Sequence, residues 1–449
     1  MKKTTFAGIV SVCMVPALFW STEGSAIPSW ARKYNTSCYM CHSGMPQRNA
    51  VGEAFKNNGY RLPGGNDEAF TRQKQIRIGT ADWDKKFPFA PNSGSYPQFD
   101  PLSVALTGTL LNFKDATHGS TLAKDNAGRE FTIGIPTASL FYGASVGDNL
   151  TVFGQISGFG GNSGETDEGT TTLETSITHS VRAVWQFSPG LNLALGNSFS
   201  PAGNSAWNGT GAGGVVNVNT VMPQPVTYLE LNFTRGETGG YSIVAGTSMG
   251  AKQTALPVPV ATKNSIDDIL YVRGKLKVIG AGLLSGANGD LGNAYNGLDN
   301  QLTFGAGLSY AKSSFNTTLN PTGFTGNYAG ETLVYGADVQ GAYDGFLVGA
   351  AYSRDRDLKL DNFQIDAGYF IYPWLFAKVA YADIANAAKY AVLASRGDTH
   401  QPTIRPSISA WLSPAVSLTG TYTIFQKGKL EQTGKVNQNT FALALTAAF

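Results

Sequence analysis

The stretch Phe441-Ala442-Leu443-Ala444-Leu445-Thr446-Ala447-Ala448-Phe449 alternates with a period of two. Phe441, Leu443, Leu445, Ala447 and Phe449 fall on one face. Ala442, Ala444, Thr446 and Ala448 fall on the other. A β-strand places successive side chains on opposite faces, so this is a strand with one apolar side and one small or polar side.

Upstream, from about residue 101, segments of about ten residues repeat the same alternation, with turn residues between them. The connections fall into two classes. Tight turns are expected at Gly147-Asp148-Asn149, Ser188-Pro189-Gly190, Gly236–Gly240, Tyr343-Asp344-Gly345, Tyr372-Pro373 and Ser413-Pro414-Ala415. Long loops are expected at 114–130, 160–174, 200–225, 250–265, 312–331, 384–403 and 427–438. A β-sandwich has no reason to segregate loops by length. A transmembrane barrel does, with short turns on the periplasmic side and long loops outside. The expected fold is therefore all-β, a transmembrane antiparallel β-barrel of about 16 strands. The final strand, ending on an aromatic, resembles the closing strand of bacterial outer-membrane barrels. One stretch breaks the pattern: residues 279–300 should be a short turn but are long and Gly-rich. Either that turn is unusual or Lys275–Leu284 hides another strand, so fourteen and eighteen strands stay open.

Composition agrees. There are 54 glycines among 449 residues, well above the usual share of about 7%. Charged residues make up 14% against the usual ~25%. Aromatics reach 11% and mean hydropathy is −0.11, which excludes a bundle of apolar helices and a disordered chain. The formal net charge is +2, without a long basic cluster, so nucleic acid is not an expected partner. Residues 1–26 read as a signal peptide: Lys2 and Lys3, an apolar run from Phe6 to Trp20, and Gly24-Ser25-Ala26 before the cut. The expected parts are then 1–26 signal peptide, 27–72 a compact N-terminal segment, 73–100 a linker, and 101–449 the barrel.

Within Ile269–Val278, Arg273, Lys275 and Lys277 share one face and Leu270, Val272, Leu276 and Val278 the other. Charge on the lipid face would cost about 2–4 kcal/mol at mid-depth, so the basic ladder is expected in the lumen, with at least one member facing the N-terminal segment. Arg354 and Arg356 share a face near a strand top.

Of three cysteines, Cys13 leaves with the signal peptide. Cys38 and Cys41 remain, in Cys38-Tyr39-Met40-Cys41-His42. Cys-x-x-Cys-His is the attachment signature of c-type haem. Two thiols bond one porphyrin, and the adjacent imidazole reaches its iron. Cofactor-binding residues are thus Cys38, Cys41 and His42, with His42 the proximal iron ligand and haem c, one and covalent, the cofactor. A thioredoxin-like pair would need a βαβ context, and a zinc site a fourth ligand; a plain Cys38–Cys41 disulfide stays open. The distal ligand is unknown. Met40 and Met45 lie too close in the chain, His118 and His400 in outer loops, His179 on an apolar face near a strand's outer end, Met222 in a loop and Met249 near a strand top. A helix-like stretch, Asn49 to Asn58, follows the motif.

Pro28-Ser29-Trp30-Ala31-Arg32 before the motif, then Pro46, Asn49-Ala50-Val51-Gly52-Glu53-Ala54-Phe55-Lys56 and Gly59-Tyr60 after it, resemble the fused monohaem cytochrome–porins of the bacterial outer membrane, among them outer-membrane iron oxidases. The resemblance spans residues 28–63 and departs from the pattern at Val51, where an aromatic is expected, and Glu53, where a basic residue is. It implies electron transfer across the outer membrane. The haem segment would enter the barrel from the periplasmic side as a plug. Extracellular ferrous iron would be the donor and a periplasmic cytochrome the acceptor, with outer-membrane lipid around the barrel. No catalytic side chain is singled out, and whether the chain is an enzyme, an Fe(II) oxidase, is left open. A diffusion porin or solute transporter with a redox or structural plug is the alternative, as is outward electron flow to an external acceptor. Glu165, Asp167 and Glu168 in a loop are candidates for attracting cations.

Overall fold

The computed structural model describes Trp30, Lys33, Tyr34, residues 40–44 and 47–63, and the segments 75–77, 95–97, 102–114, 130–134, 136–146, 149–159, 178–197, 227–249, 265–287, 298–319, 324–356, 360–385, 400–413, 416–425 and 439–448. The signal peptide, Cys38, Met45, His118, Met222 and the loop acids Glu165, Asp167 and Glu168 lie outside the described residues.

Sixteen antiparallel strands close into an up-and-down barrel. In chain order they are β1 (Leu102–Lys114), β2 (Glu130–Ile133 and Thr137–Val146), β3 (Leu150–Phe159), β4 (Thr178–Ser188), β5 (Leu191–Asn197), β6 (Thr227–Arg235), β7 (Thr238–Met249) and β8 (Ser265–Ala281). The second half is β9 (Gln301–Leu319), β10 (Phe324–Tyr343), β11 (Phe346–Asp355), β12 (Leu360–Tyr372), β13 (Leu375–Ala385), β14 (His400–Ser413), β15 (Val416–Phe425) and β16 (Thr440–Ala448). Each pairs with its neighbours in sequence, and β16 closes on β1, from Thr440 opposite Lys114 to Ala448 opposite Ala105. Closure leaves no unpaired sheet edge, which a bilayer demands.

The β2 strand is one strand in two pieces, both paired with β1. Pro136 has no N–H to give the ladder and interrupts it, as proline does in strands. Gly108 on β1 accommodates the break: a side chain there would press on the Pro136 Cα at 3.1 Å.

Outward positions carry the apolar belt. Leu229 and Leu231, Leu270 and Leu276, Phe346 and Val348, Ile365 and Tyr369 are all exposed, while Glu230, Tyr271, Leu347 and Asp366 on the alternate positions are buried. A soluble protein rarely exposes so broad an apolar surface; on a closed barrel it is the surface that meets lipid. Tyr228, Glu230, Asn232 and Thr234 on β6 illustrate the polar inward face.

Six short hairpins form where the turn signals stand, joining Val146 to Leu150, Ser188 to Leu191, Arg235 to Thr238, Tyr343 to Phe346, Tyr372 to Leu375 and Ser413 to Val416. At Asp344 and Gly345 both φ angles are positive, 45° and 83°, the pair a two-residue type I′ hairpin requires. The expected loop at 312–331 is corrected: β9 and β10 stay paired out to Leu319 opposite Phe324. At 19 and 20 residues they outrun the ~9–11 residues a tilted strand needs to span the bilayer. Their ends carry polar pairs such as Asn316 opposite Asn327, which erases the apolar alternation while the ladder continues. Among the described residues of the anomalous stretch 279–300 there is no hidden extra strand, and Lys275–Ala281 belongs to β8. The β8 strand ends at Ala281, a turn occupies 282–287, and β9 starts at Gln301.

Residues 42–44 and 47–63 lie inside the barrel, at the end where the short turns gather. A short antiparallel pair, His42–Gly44 with Gln47–Arg48, leads into α1 (Ala50–Asn57). Farther along, Gln75–Arg77 pairs with Ser95–Pro97.

Candidate functional site: the N-terminal segment in the lumen

The α1 helix begins at Asn49, whose side-chain Oδ1 accepts from the Gly52 N–H at 3.0 Å. An asparagine cap satisfies one of the orphaned N–H groups of a first turn. The Asn49 N–H in turn donates to the Cys41 carbonyl at 3.0 Å. This carbonyl sits so close to α1 that any side chain at position 52 would overlap it, so Gly52 is required by that approach. The haem-motif residues Cys41 and His42 are thereby fixed to the helix. Both are partly accessible.

An aromatic cluster packs alongside. Trp30 and Tyr34 each meet Phe55 edge-on, with centroids 5.7 and 5.8 Å away, and Tyr60 meets it at 5.9 Å. Met40, inside the motif, packs on the same cluster. A partly accessible thiol and an adjacent imidazole, tied to a helix beside apolar rings, are the donor types and the surroundings a c-type haem takes. The described residues of the motif therefore fit that group. His179 does not belong to this site: it is exposed on β4, and its Nε2 lies 3.0 Å from the Tyr142 hydroxyl. Met249 ends β7 and His400 begins β14. Among the described residues no group of three or more His, Cys, Asp or Glu gathers to hold a metal ion.

The segment is tied to the barrel wall at several points. Asn57 Nδ2 donates to the Leu283 carbonyl and Asn58 Nδ2 to the Leu284 carbonyl, both at 2.8 Å. In return Asn192 donates to the Asn57 carbonyl at 2.6 Å and Gln186 to the Asn58 carbonyl at 3.0 Å. Arg61 reaches the Leu150 carbonyl at 3.2 Å, and Lys33 the Ser145 hydroxyl at 2.9 Å. Tyr60, in a left-handed conformation (φ 64°) after Gly59, sets its ring 4.5 Å from that of Phe153. The unusual turn at 282–287 is the other half of this contact. Gly286 faces α1 so closely that a side chain would press on Ala54 Cβ at 3.1 Å and on the Ala50 carbonyl at 3.2 Å.

The basic ladder is resolved member by member. Arg273 pairs with Asp338 at 2.6 Å, Lys277 with Asp299 at 3.0 Å, and Lys275 with Glu53 of α1 at 2.5 Å. The inward face expected of the ladder is the one observed, and Lys275 is the member that meets the N-terminal segment. Glu53 also accepts from Arg48 at 3.1 Å. Beside these groups lies a cavity of about 20 Å³, room for one water. Burial pushes the Glu53 carboxyl up, but Lys275, Lys56 and Arg48 outweigh it and hold it well below the usual carboxylate range. Burial pushes Lys56 down to about 7, against the pull of Glu53. The departure at position 53 is thus matched by a cation on β8. Only the pairing across 222 residues of sequence was beyond local reading. Arg354, by contrast, is on the outward face, near Asp361 at 3.6 Å, and lines no lumen.

No protein-family model matches the chain, and none of the curated proteins does. Among solved structures, the chain is similar to the outer membrane channel DcaP of Acinetobacter baumannii, at 14% identity and a TM-score of 0.45 over 78% of this chain and 96% of that one. It is also similar to OmpF of Salmonella typhi, in a complex with daunomycin, at 10% identity and a TM-score of 0.47 over 78% and 97%. Pseudomonas putida OprB is similar at 12% identity and a TM-score of 0.46 over 78% and 93%.

Proposed function

We propose that the chain is a porin-type conduit of the bacterial outer membrane, whose lumen is narrowed at the periplasmic end by its own N-terminal segment. The observation that carries this reading is the closed barrel with an apolar outer belt and an inward face of charged and polar side chains. Such a wall is wettable and admits small polar solutes. Planar-bilayer recordings of the purified full chain test it: stable ion conductance is expected, rising when Glu53→Gln and Lys275→Gln loosen the segment. A barrel that never conducts, with or without those changes, overturns it.

A second, finer reading is favoured by Cys38-Tyr39-Met40-Cys41-His42 on the segment that narrows the lumen. In this reading Cys38 and Cys41 hold one c-type haem and His42 ligates its iron. The haem would supply a one-electron carrier. The barrel's part is to hold that carrier away from lipid, within a bilayer whose hydrocarbon is about 30 Å thick. By the family resemblance, extracellular Fe(II) is the donor and a periplasmic cytochrome the acceptor; outward flow uses the same parts in reverse. Expression with a working haem-attachment system should yield one haem per chain that survives denaturation, lost on Cys38→Ala or Cys41→Ala. A chain that never stains for haem sinks this reading and leaves the first intact.

A further inference from the structure

The wall contacts of the N-terminal segment given above fall on β2 to β8. The wall opposite, β10 to β14, carries a different arrangement. Five acidic side chains are buried among the described residues: Glu53, Glu230, Asp299, Asp338 and Asp366. Four of them are ion-paired, Glu230 with Arg182 at 3.4 Å and the other three with the ladder. Asp366, on β12, is the exception. It is 2% exposed, and neither carboxylate oxygen has a hydrogen-bond partner.

Cations are nonetheless close. Asp366 stands opposite Ala380 on β13, and Ala380 opposite Arg405 on β14. Three inward positions thus lie in one row, with acid and guanidinium at its ends and a methyl group between. With strands about 4.8 Å apart, their backbones are about 10 Å apart. Lys378 shares the inward face of β13, two residues from Ala380. On the other side Asp366 stands opposite Gly349 of β11, so no side chain longer than a methyl stands directly opposite it on either neighbouring strand. The Arg405 Nε is also buried without a partner. A buried charge left unpaired is costly. Here the acid and the two cations share one inward face, and neither Asp366 oxygen is hydrogen-bonded to either cation.

We propose that this inward row binds a small amphoteric solute, one carrying both a protonated amine and a carboxylate, with the amine on Asp366 and the carboxylate against Arg405 and Lys378. A simple anion would meet Asp366 unfavourably, and a simple cation would meet Arg405 and Lys378 so. A molecule with both charges satisfies both ends of the row. The site rests on the solute-conduit reading and gives it a substrate class.

Calorimetric titration of the full chain in detergent micelles with L-alanine tests this, with acetate and ethylammonium as single-charge probes. Alanine should bind at least tenfold more tightly than either probe. Asp366→Asn and Arg405→Gln should each weaken it at least tenfold. Asp366→Asn also removes the charge the fold leaves unpaired, so the midpoint of heat unfolding should hold or rise. Absent alanine binding, equal binding of all three probes, or unchanged binding in Asp366→Asn overturns the proposal. Ion conductance measured on the same preparation separates the two failures: a conducting barrel without alanine binding sinks the site alone, and a non-conducting one sinks the conduit reading while the titration still decides the site.

Discussion

Lys275 and Glu53 come from the two ends of the argument, the barrel wall and the helix inside it, and neither is comfortable without the other. Each side chain is nearly buried, at 14% and 11% exposed. Removing one partner from a buried pair leaves the other charge uncompensated, a loss of about 3–5 kcal/mol. Glu53→Gln should therefore free the N-terminal segment to limited proteolysis while the barrel keeps its resistance, and the exchange Glu53→Lys with Lys275→Glu should restore part of the protection. Acid should do the same reversibly. The folded-state carboxyl titrates below its usual value, so its stabilisation is complete above about pH 4.5 and is lost as pH falls through the lower, folded value. Lys56 acts at the other end of the scale. Its value falls from 10.5 to about 7 on folding, so docking should strengthen as pH rises from 7 towards 10.5, and Lys56→Met should abolish that rise. Protease-release rates across pH 3–10 check both. The sequence told which face Lys275 takes, because alternation is local. It was silent on the partner, because ion pairs such as Arg273 with Asp338 join residues 65 apart and leave no periodic trace.

At the scale of elements, what could be read was what repeats. Turn residues marked six hairpins, and each formed, because Gly, Asp and Pro fix backbone geometry without help from distant parts of the chain. Two elements were illegible for opposite reasons. The long β9–β10 hairpin extends past the membrane, where polar pairs replace the apolar face. The turn at 282–287 answers to α1 instead of to its own strands: its carbonyls at Leu283 and Leu284 receive Asn57 and Asn58. That difference is testable. At Gly286 (φ 65°) a methyl group would be strained by backbone conformation and pressed against α1. At Gly345 (φ 83°), in a hairpin turn with no recorded contact to α1, it would meet a left-handed backbone penalty of about 1–2 kcal/mol. Gly286→Ala should thus expose the N-terminal segment to protease and Gly345→Ala should not, although both lower the heat-unfolding midpoint.

For the whole molecule, the segregation of connections fixes how the barrel sits in its membrane. Every short hairpin lies at one end, together with the start of β1 at Leu102 and the end of β16 at Ala448. The N-terminal segment docks against that same end, through the Leu150 carbonyl, Gln186, Asn192 and the turn at 282–287. Barrels of this kind keep short turns in the periplasm and long loops outside, so on the proposed conduit reading α1 and Cys41-His42 should lie towards the periplasm and the tip of β9 and β10 towards the medium. An epitope inserted between Leu319 and Phe324 should therefore be reached by antibody on intact cells. One inserted after Pro189 should be reached only after the outer membrane is opened. The opposite labelling would invert the barrel and, with it, the side from which any electron or solute first meets Lys275 and Glu53. Equal labelling of both would mean that the belt of Leu229, Leu270 and Val348 does not sit in a bilayer at all.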